Sequence, residues 1–339
     1  MSHDQDGFPN LVLVTGGAGF IGSAFCRHVL AASDARIVVL DRLTYAASLA
    51  TLDPLLGTGR VELEVADVAD REAVNRVLSH HRPDAIVHFA AETHVDRSID
   101  GPDAFMRTNL IGTFNLLEAA RIHWQRLSLA DQAGFRMVHV STDEVFGELG
   151  PDGAFHEGSL YAPNSPYAAT KAGADHLART WHRTFGLPVI VTNCSNNYGP
   201  HQFPEKLIPL TLLNALEGRR LPVYGTGRNI RDWLHVEDHA RGLWAALLRG
   251  VPGEAYAFGG GAERRNIDVV RAICNRLDLL RPGRAPHAGL IDHVADRPGH
   301  DYRYAIDATK ARRTLGWTPS FAFEAGLEAT IDWYLANKA

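Results

Sequence analysis

Six short apolar runs, at residues 11–15, 37–41, 61–66, 85–89, 137–140 and 188–192, punctuate the first part of the chain, with helical spacing between most of them. Apolar runs that alternate with helices of ten residues or more predict a parallel sheet joined by right-handed crossovers. One stretch departs from ordinary amphipathic spacing. Over residues 102–123, Phe105, Met106, Leu110, Ile111, Phe114, Leu116 and Leu117 occupy most of a helix's circumference. Such a helix is buried on two sides, against the sheet and against either a partner subunit or more of its own chain.

Past residue 192 the pattern loosens. Residues 200–224 are rich in Pro and Gly with one helix, 256–303 are loop-dense, and 323–335 form an amphipathic helix after Trp317-Thr318-Pro319. The expected organisation is a first domain over 10–192, to which segments 232–256 and 305–335 return, and a smaller domain built from 193–231 and 257–304.

The first strand runs into Gly16-Gly17-Ala18-Gly19-Phe20-Ile21-Gly22 and then a helical pattern. Glycines at 16, 19 and 22 permit a tight turn, close approach of backbone to a pyrophosphate, and close helix–strand packing, with the helix N-terminus facing the phosphates. The second strand ends in Asp41 at the spacing of a dinucleotide fingerprint. The fold class is therefore α/β, a Rossmann-type doubly wound parallel sheet with a smaller mixed α/β domain. Asp41 suits ribose hydroxyls and repels a 2'-phosphate, which favours NAD over NADP, whereas Arg42 beside it argues the other way. Asp67 and Val68 fall near the adenine and Phe89, Ala90 and Ala91 along the cofactor's path; the other reading of Asp67 is a helix N-cap before residues 70–72.

Two constellations bear chemistry. Thr142-Asp143-Glu144 follows the fifth apolar run, at the strand end where open α/β sheets bind ligands. Adjacent carboxylates can serve as acid and base for one substrate, because close like charges push their pKa values apart; the plain alternative is a solvated turn. Ser165-Pro166 starts a helix that puts Tyr167 and Lys171 one turn apart on one face, where an ammonium lowers the pKa of a phenol. Two histidines in His235-Val236-Glu237-Asp238-His239 mimic a zinc helix, but the glutamate is misplaced and no third ligand is evident, so no metal is expected. His94 and Arg97 are placed on the rim of the site, and His80 and His81 in solvent.

Composition narrows the partners. The 339 residues are 45% apolar with a net charge of -5 and a pI near 6.4, and no Lys/Arg block suggests nucleic acid. Cys26, Cys194 and Cys274 fit neither a disulfide framework nor a thiolate zinc site. Residues 1–9 are polar without a signal-peptide core, and no apolar run is long enough to span a bilayer. A cytoplasmic protein, without membrane or nucleic-acid partners, is expected.

The glycine loop, Thr142 and the Tyr167/Lys171 pair resemble the extended short-chain dehydrogenase/reductases. The blocks at 90–98, 141–147, 193–200, 231–233, 265–268 and 296–301 resemble, more specifically, the dTDP-glucose 4,6-dehydratase family over residues 11–335. Phe146, where that family usually has tyrosine, and Thr226, where an acid is common, depart from its pattern. The resemblance implies NAD held by Gly16, Gly19, Phe20, Ile21, Gly22, Asp41, Arg42, Leu43, Thr44, Asp67, Val68, Phe89, Ala90, Ala91, Thr108, Tyr167, Lys171 and Asn197. It implies dTDP-glucose held by Thr93, His94, Thr142, Asn196, Lys206, Leu207, Pro222, Tyr224, Arg231, Asn266, Arg297 and His300, in a homodimer. It also implies the roles. Tyr167, assisted by Lys171 and Thr142, takes the 4-hydroxyl proton as NAD accepts hydride from C4; Glu144 removes the C5 proton, Asp143 protonates the departing C6 hydroxyl, and the hydride returns to C6. A related epimerase or dehydratase acting on a UDP- or GDP-sugar, or a non-catalytic NAD-sensing protein, is the alternative.

Overall fold

The computed structural model describes residues 9–337, so most of the polar N-terminal segment lies outside the described residues. The strands in chain order are β1 (Leu11–Thr15), β2 (Arg36–Asp41), β3 (Val61–Val65), β4 (Ala85–His88), β5 (Arg136–Val140), β6 (Val189–Cys194), β7 (Asn196–Tyr198), β8 (Leu221–Tyr224), β9 (Ile230–His235), β10 (Ala255–Phe258), β11 (Glu263–Arg265) and β12 (Ile291–Val294). The large sheet has the order β10-β6-β5-β4-β1-β2-β3, and all its pairings are parallel. Its strand order reverses beside β1, which opens a crevice at the C-terminal strand ends.

Alternation along each strand feeds two cores. Val12, Val14, Ile37 and Val39 pack on one face with the helices Phe20–Ala32 and Val236–Arg249, and Leu13, Val38, Leu40 and Met137 on the other with Arg71–His81 and Thr113–Gln125. Each such fully buried aliphatic side chain contributes roughly 1.5–3 kcal/mol relative to exposure. A third core gathers Tyr198, Ile208, Leu212, Val223, Val270 and Leu277 beneath two small sheets, β11-β9-β7 and β12-β8.

The structure amends four expectations. The region 256–303 is less loop-rich than its Pro and Gly suggest, since Ala255–Phe258 completes the large sheet and Asn266–Leu280 is a helix. The C-terminal helix Phe323–Asn337 does not return to the large sheet; Phe323, Leu327, Ile331 and Tyr334 bury in the third core, while Ile306, Ala311 and Trp317 do join the first. The helix expected over 102–123 is broken in register, running as Asp103–Phe105, a π-helical stretch Met106–Gly112, and Thr113–Gln125. His81 is not in solvent: its ring is largely covered and lies 2.7 Å from Glu64, although His80 is exposed.

Among the described residues no helix is long and apolar enough to cross a membrane.

Candidate active site

A cavity of about 300 Å³ sits where the chain leaves β1, β2, β4, β5 and β6. Its dinucleotide end is shaped by backbone. Gly16 has φ +72°, and a Cβ there would lie 2.7 Å from the Ala90 nitrogen; one on Gly22 would lie 2.2 Å from the Gly16 carbonyl oxygen. Only hydrogen fits at either place, and the helix Phe20–Ala32 starts there with no side-chain cap on its first amides. Asp41 is fixed by the amides of Ala18 (3.0 Å) and Leu43 (2.8 Å).

Of the expected cofactor residues, all but Leu43 line this cavity. Leu43 sits in the left-handed region (φ 55°) and contributes through its amide to Asp41. Asp67 is not the cap of the following helix. Asp70 is, accepting from the amides of Glu72 and Ala73, while Asp67 pairs with Arg42 at 3.2 Å. Arg42 is also paired with Glu92, so two carboxylates hold the guanidinium that argued for NADP.

The π-helical stretch explains itself here. It turns both Thr108 and Asn109 inward; Asn109 accepts from the Glu92 amide (2.9 Å) and donates to the Glu92 carbonyl (3.1 Å) and Thr170 hydroxyl (3.0 Å), tying the loop after β4 to the Tyr167 helix. Thr108 Oγ1 and Asn196 Oδ1 are buried, without a hydrogen-bond partner among the described residues, in the cavity wall. The glycine cradle, the fixed acid and these open polar atoms suit a dinucleotide.

The end expected to be catalytic is organised by one 3₁₀ turn, Asp143–Phe146, which Thr142 caps by accepting from the Glu144 amide (3.3 Å). The turn is buried rather than solvated: Val145 and Phe146 are in the core, with Phe146 stacked 5.1 Å from Phe155 and edge-on to Tyr161. That apolar contact accommodates phenylalanine at 146. Burial, then the neighbouring charge of Glu144, raises the Asp143 carboxyl well above its ordinary range, and its Oδ2 has no partner among the described residues. Glu144 is raised too, by burial, but Arg297, Lys206 and Arg231 pull it back.

Ser165 caps the next helix by accepting from the Ala168 amide (3.1 Å), with Pro166 at its first position. Tyr167 and Lys171 then face the cavity together. The Tyr167 phenol does not shift as the spacing suggested. Burial and the Glu144 charge raise it well above its usual value, and the Thr142 hydroxyl is what pulls it down. Lys171 gives its ammonium to the Val140 carbonyl at 2.7 Å, and burial lowers its own pKa.

Among the expected substrate residues, Thr93, Thr142, Asn196 and Lys206 line the cavity, with Lys206 donating to the Thr93 carbonyl (3.1 Å). His94, Leu207, Pro222, Tyr224, Arg231, Asn266, Arg297 and His300 do not. Several of these meet beyond Asp96, which accepts from Tyr224 (2.8 Å) and Arg297 (3.2 Å), with His300 edge-on to Tyr224. Arg231 lies 4.3 Å over the Tyr304 ring. Asp96, Asn109 and Glu205 were not singled out from sequence. Glu205, in the cavity wall, lies within 3.6 Å of Arg97 and 3.8 Å of His94; the Pro-Glu-Lys run beside Lys206 was its one signal. His235 and His239 have other work, His235 capping the helix Val236–Arg249 and stacking on Phe321, His239 bonding Asn197 at 2.9 Å.

The family model described as GDP-mannose 4,6 dehydratase matches residues 13–330. A dTDP-glucose 4,6-dehydratase of Neisseria meningitidis is 55% identical over 332 residues, covering 96% of this chain and 94% of the relative. The chain belongs to the dTDP-glucose 4,6-dehydratase family. A Shigella flexneri member is 54% identical over 335 residues, with 96% of this chain and 93% of that one covered. Among solved members, the dTDP-glucose 4,6-dehydratase of Streptomyces venezuelae with NAD and TYD bound superposes with a TM-score of 0.88 at 46% identity, over 97% of this chain and 98% of that one. The family is that of the extended short-chain dehydrogenase/reductases.

Proposed function

We propose that this chain is an NAD-dependent hydro-lyase that converts dTDP-glucose to dTDP-4-keto-6-deoxyglucose and water. The observation that carries the reading is the Asp143–Glu144 pair beside Tyr167, with Asp143 buried and Glu144 half-buried in the same cavity wall. NAD, when bound, supplies an acceptor for the C4 hydride that later returns it to C6, and a positive ring that favours anionic groups in the same cavity. We assign its dinucleotide site to the glycine turn, Asp41, Asp67 and Thr108. With Arg42 committed to Asp67 and Glu92, a 2'-phosphate has no free guanidinium at that position.

The residues divide the proton work. Tyr167, bonded by Thr142, takes the proton of the sugar's 4-hydroxyl. A ketone at C4 acidifies the C5 hydrogen, which Glu144 removes. Asp143, neutral because it is buried beside Glu144, gives its proton to the departing C6 hydroxyl, and Glu144, after its acid proton has exchanged with solvent, protonates C5. Arg231, Arg297 and Lys206, whose charges act on Glu144, suit the diphosphate. Tyr224 and Pro222 offer surfaces for the base, and His94, Leu207, Asn266 and His300 complete the proposed nucleotide-sugar set.

One surface supports an assembly. Met106 and Ile111 are 50% and 51% exposed on the π-helical stretch, and we propose that they pack against a second copy in a homodimer. The three free, buried cysteines fit a reducing cytoplasm.

Offering dTDP-glucose, UDP-galactose and GDP-mannose separately tests the function. Only the first is expected to yield a 4-keto-6-deoxy product; turnover of only the other two overturns the reading.

A further inference from the structure

The assistance that the family resemblance assigns to Lys171 beside Tyr167 needs a cation, yet Lys171 is almost fully buried. An isolated ammonium in such a place loses its proton unless an opposite charge is near. The helix Pro166–Phe185 supplies a carboxylate one turn further on, at Asp175, which has no solvent exposure. Its oxygens are engaged by three elements. His139 Nε2, from β5, lies 3.0 Å from Oδ1; the Tyr161 hydroxyl donates to Oδ2 at 2.7 Å; and Asn193 Nδ2, from β6, approaches Oδ2 at 3.4 Å while donating to the Thr142 carbonyl at 3.0 Å. The same carboxylate, itself on the helix of Tyr167 and Lys171, thus touches β5, which leads into Thr142, and β6 beside it.

We infer that Asp175 is the counter-charge that keeps Lys171 an ammonium and, through Asn193, sets the backbone at Thr142. The role goes beyond the assignment of Tyr167 and Lys171 and rests on it. Among the other titratable groups around Lys171, Glu144 is ionised in the proposed mechanism but is answered by Arg297, Lys206 and Arg231, and the rest offer no negative charge. His88 from β4 and His139 from β5 are both pushed down by burial and stay neutral, and the Cys194 thiol from β6 and the Tyr161 phenol are pushed up by burial and keep their protons. Asp143 and Glu144 from the 3₁₀ turn are raised by burial. Asp175 alone among these acids moves the other way: burial would raise it, but the His139 hydrogen bond, the Lys171 charge and the Tyr161 hydrogen bond outweigh that. Arg179 donates to the Tyr161 hydroxyl at 3.2 Å, and its charge helps to push His139 down.

The chain has four lysines, Lys171, Lys206, Lys310 and Lys338, so the ammonium can be read directly by ¹³Cε NMR of lysine-labelled, NAD-loaded protein, without turnover. In Asp175→Asn the Lys171 titration is expected to move down by about one unit or more. In Tyr161→Phe, which keeps the carboxylate, it should stay in place. The alkaline limb of kcat should move with it while KM holds. An unchanged Lys171 titration in Asp175→Asn overturns the inference, and does so whether or not the dehydratase assay succeeds. If Asp175→Asn fails to fold, the double variant Asp175→Asn/Lys171→Met decides: recovery of folded protein supports a charge pair, and renewed failure means that Asp175 serves packing alone, against the inference.

Discussion

At the scale of single residues, the proposed function rests on two carboxyls of similar chemistry in unequal surroundings. Asp143 is the more enclosed and lies against Glu144, so the acid and base are separated by environment. Replacing Glu144 with Gln is expected to slow turnover by about 10²–10⁴-fold and to end solvent exchange at C5, whereas Asp143→Asn should slow loss of water by a similar factor while exchange continues. NMR of the sugar separates the two. Since Glu144 must be ionised and its pKa is raised, the acid limb of kcat should lie above the usual glutamate value of about 4.3.

Asp143 also makes a stability prediction. A carboxyl whose pKa is raised in the folded state contributes stability fully below its unfolded pKa, and that contribution is lost as pH rises through the folded value. Asp143→Asn, which cannot ionise, should therefore melt higher than the parent at pH 8, with the gap closing towards pH 4. Equal melting temperatures at both ends would contradict the burial argument.

At the scale of elements, the site is built from turns that the sequence marks unequally. The glycine turn, the Thr142 cap and the Ser165-Pro166 start were legible because each uses a residue type for a local backbone reason. Gly22→Ala should lower both the melting temperature and the nucleotide content, since its Cβ meets the Gly16 carbonyl oxygen. The π-helical register was not legible. It depends on Gly112 packing on Val68 and on Asn109 reaching Glu92 and Thr170, contacts distant in sequence. For the same reason the direction of the Tyr167 shift was missed: the spacing to Lys171 is local, but burial is set by the whole fold.

A clasp joins two residues of the cavity wall, Phe203 and Glu205. Arg97 lies 3.7 Å over the Tyr45 ring, Tyr45 meets Phe203 edge-on, and its hydroxyl donates to Glu205 at 3.4 Å. Tyr45→Ala is expected to speed NAD dissociation by about three- to tenfold, the size of an exposed cation–π contact plus a weak hydrogen bond. Stopped-flow displacement of the bound nucleotide measures it, and an unchanged rate would mean that the clasp does not retain NAD.

At the scale of the molecule, the large sheet and its crossovers were readable from apolar rhythm because parallel strands are buried on both faces. The helix Phe323–Asn337 was misplaced because an amphipathic face does not say which core it covers. The exposed pair Met106 and Ile111 makes the assembly testable: Ile111→Glu should shift the mass in light scattering from dimer to monomer. A reaction that returns its cofactor unchanged also implies that the purified protein carries NAD.

The central claim, a transient C4 ketone that loosens the C5 hydrogen, is tested most directly by converting dTDP-glucose in heavy water. The 4-keto-6-deoxy product should carry solvent deuterium at C5, with the hydride at C6 coming from C4 of the substrate. Product that keeps its original hydrogen at C5 would contradict the account.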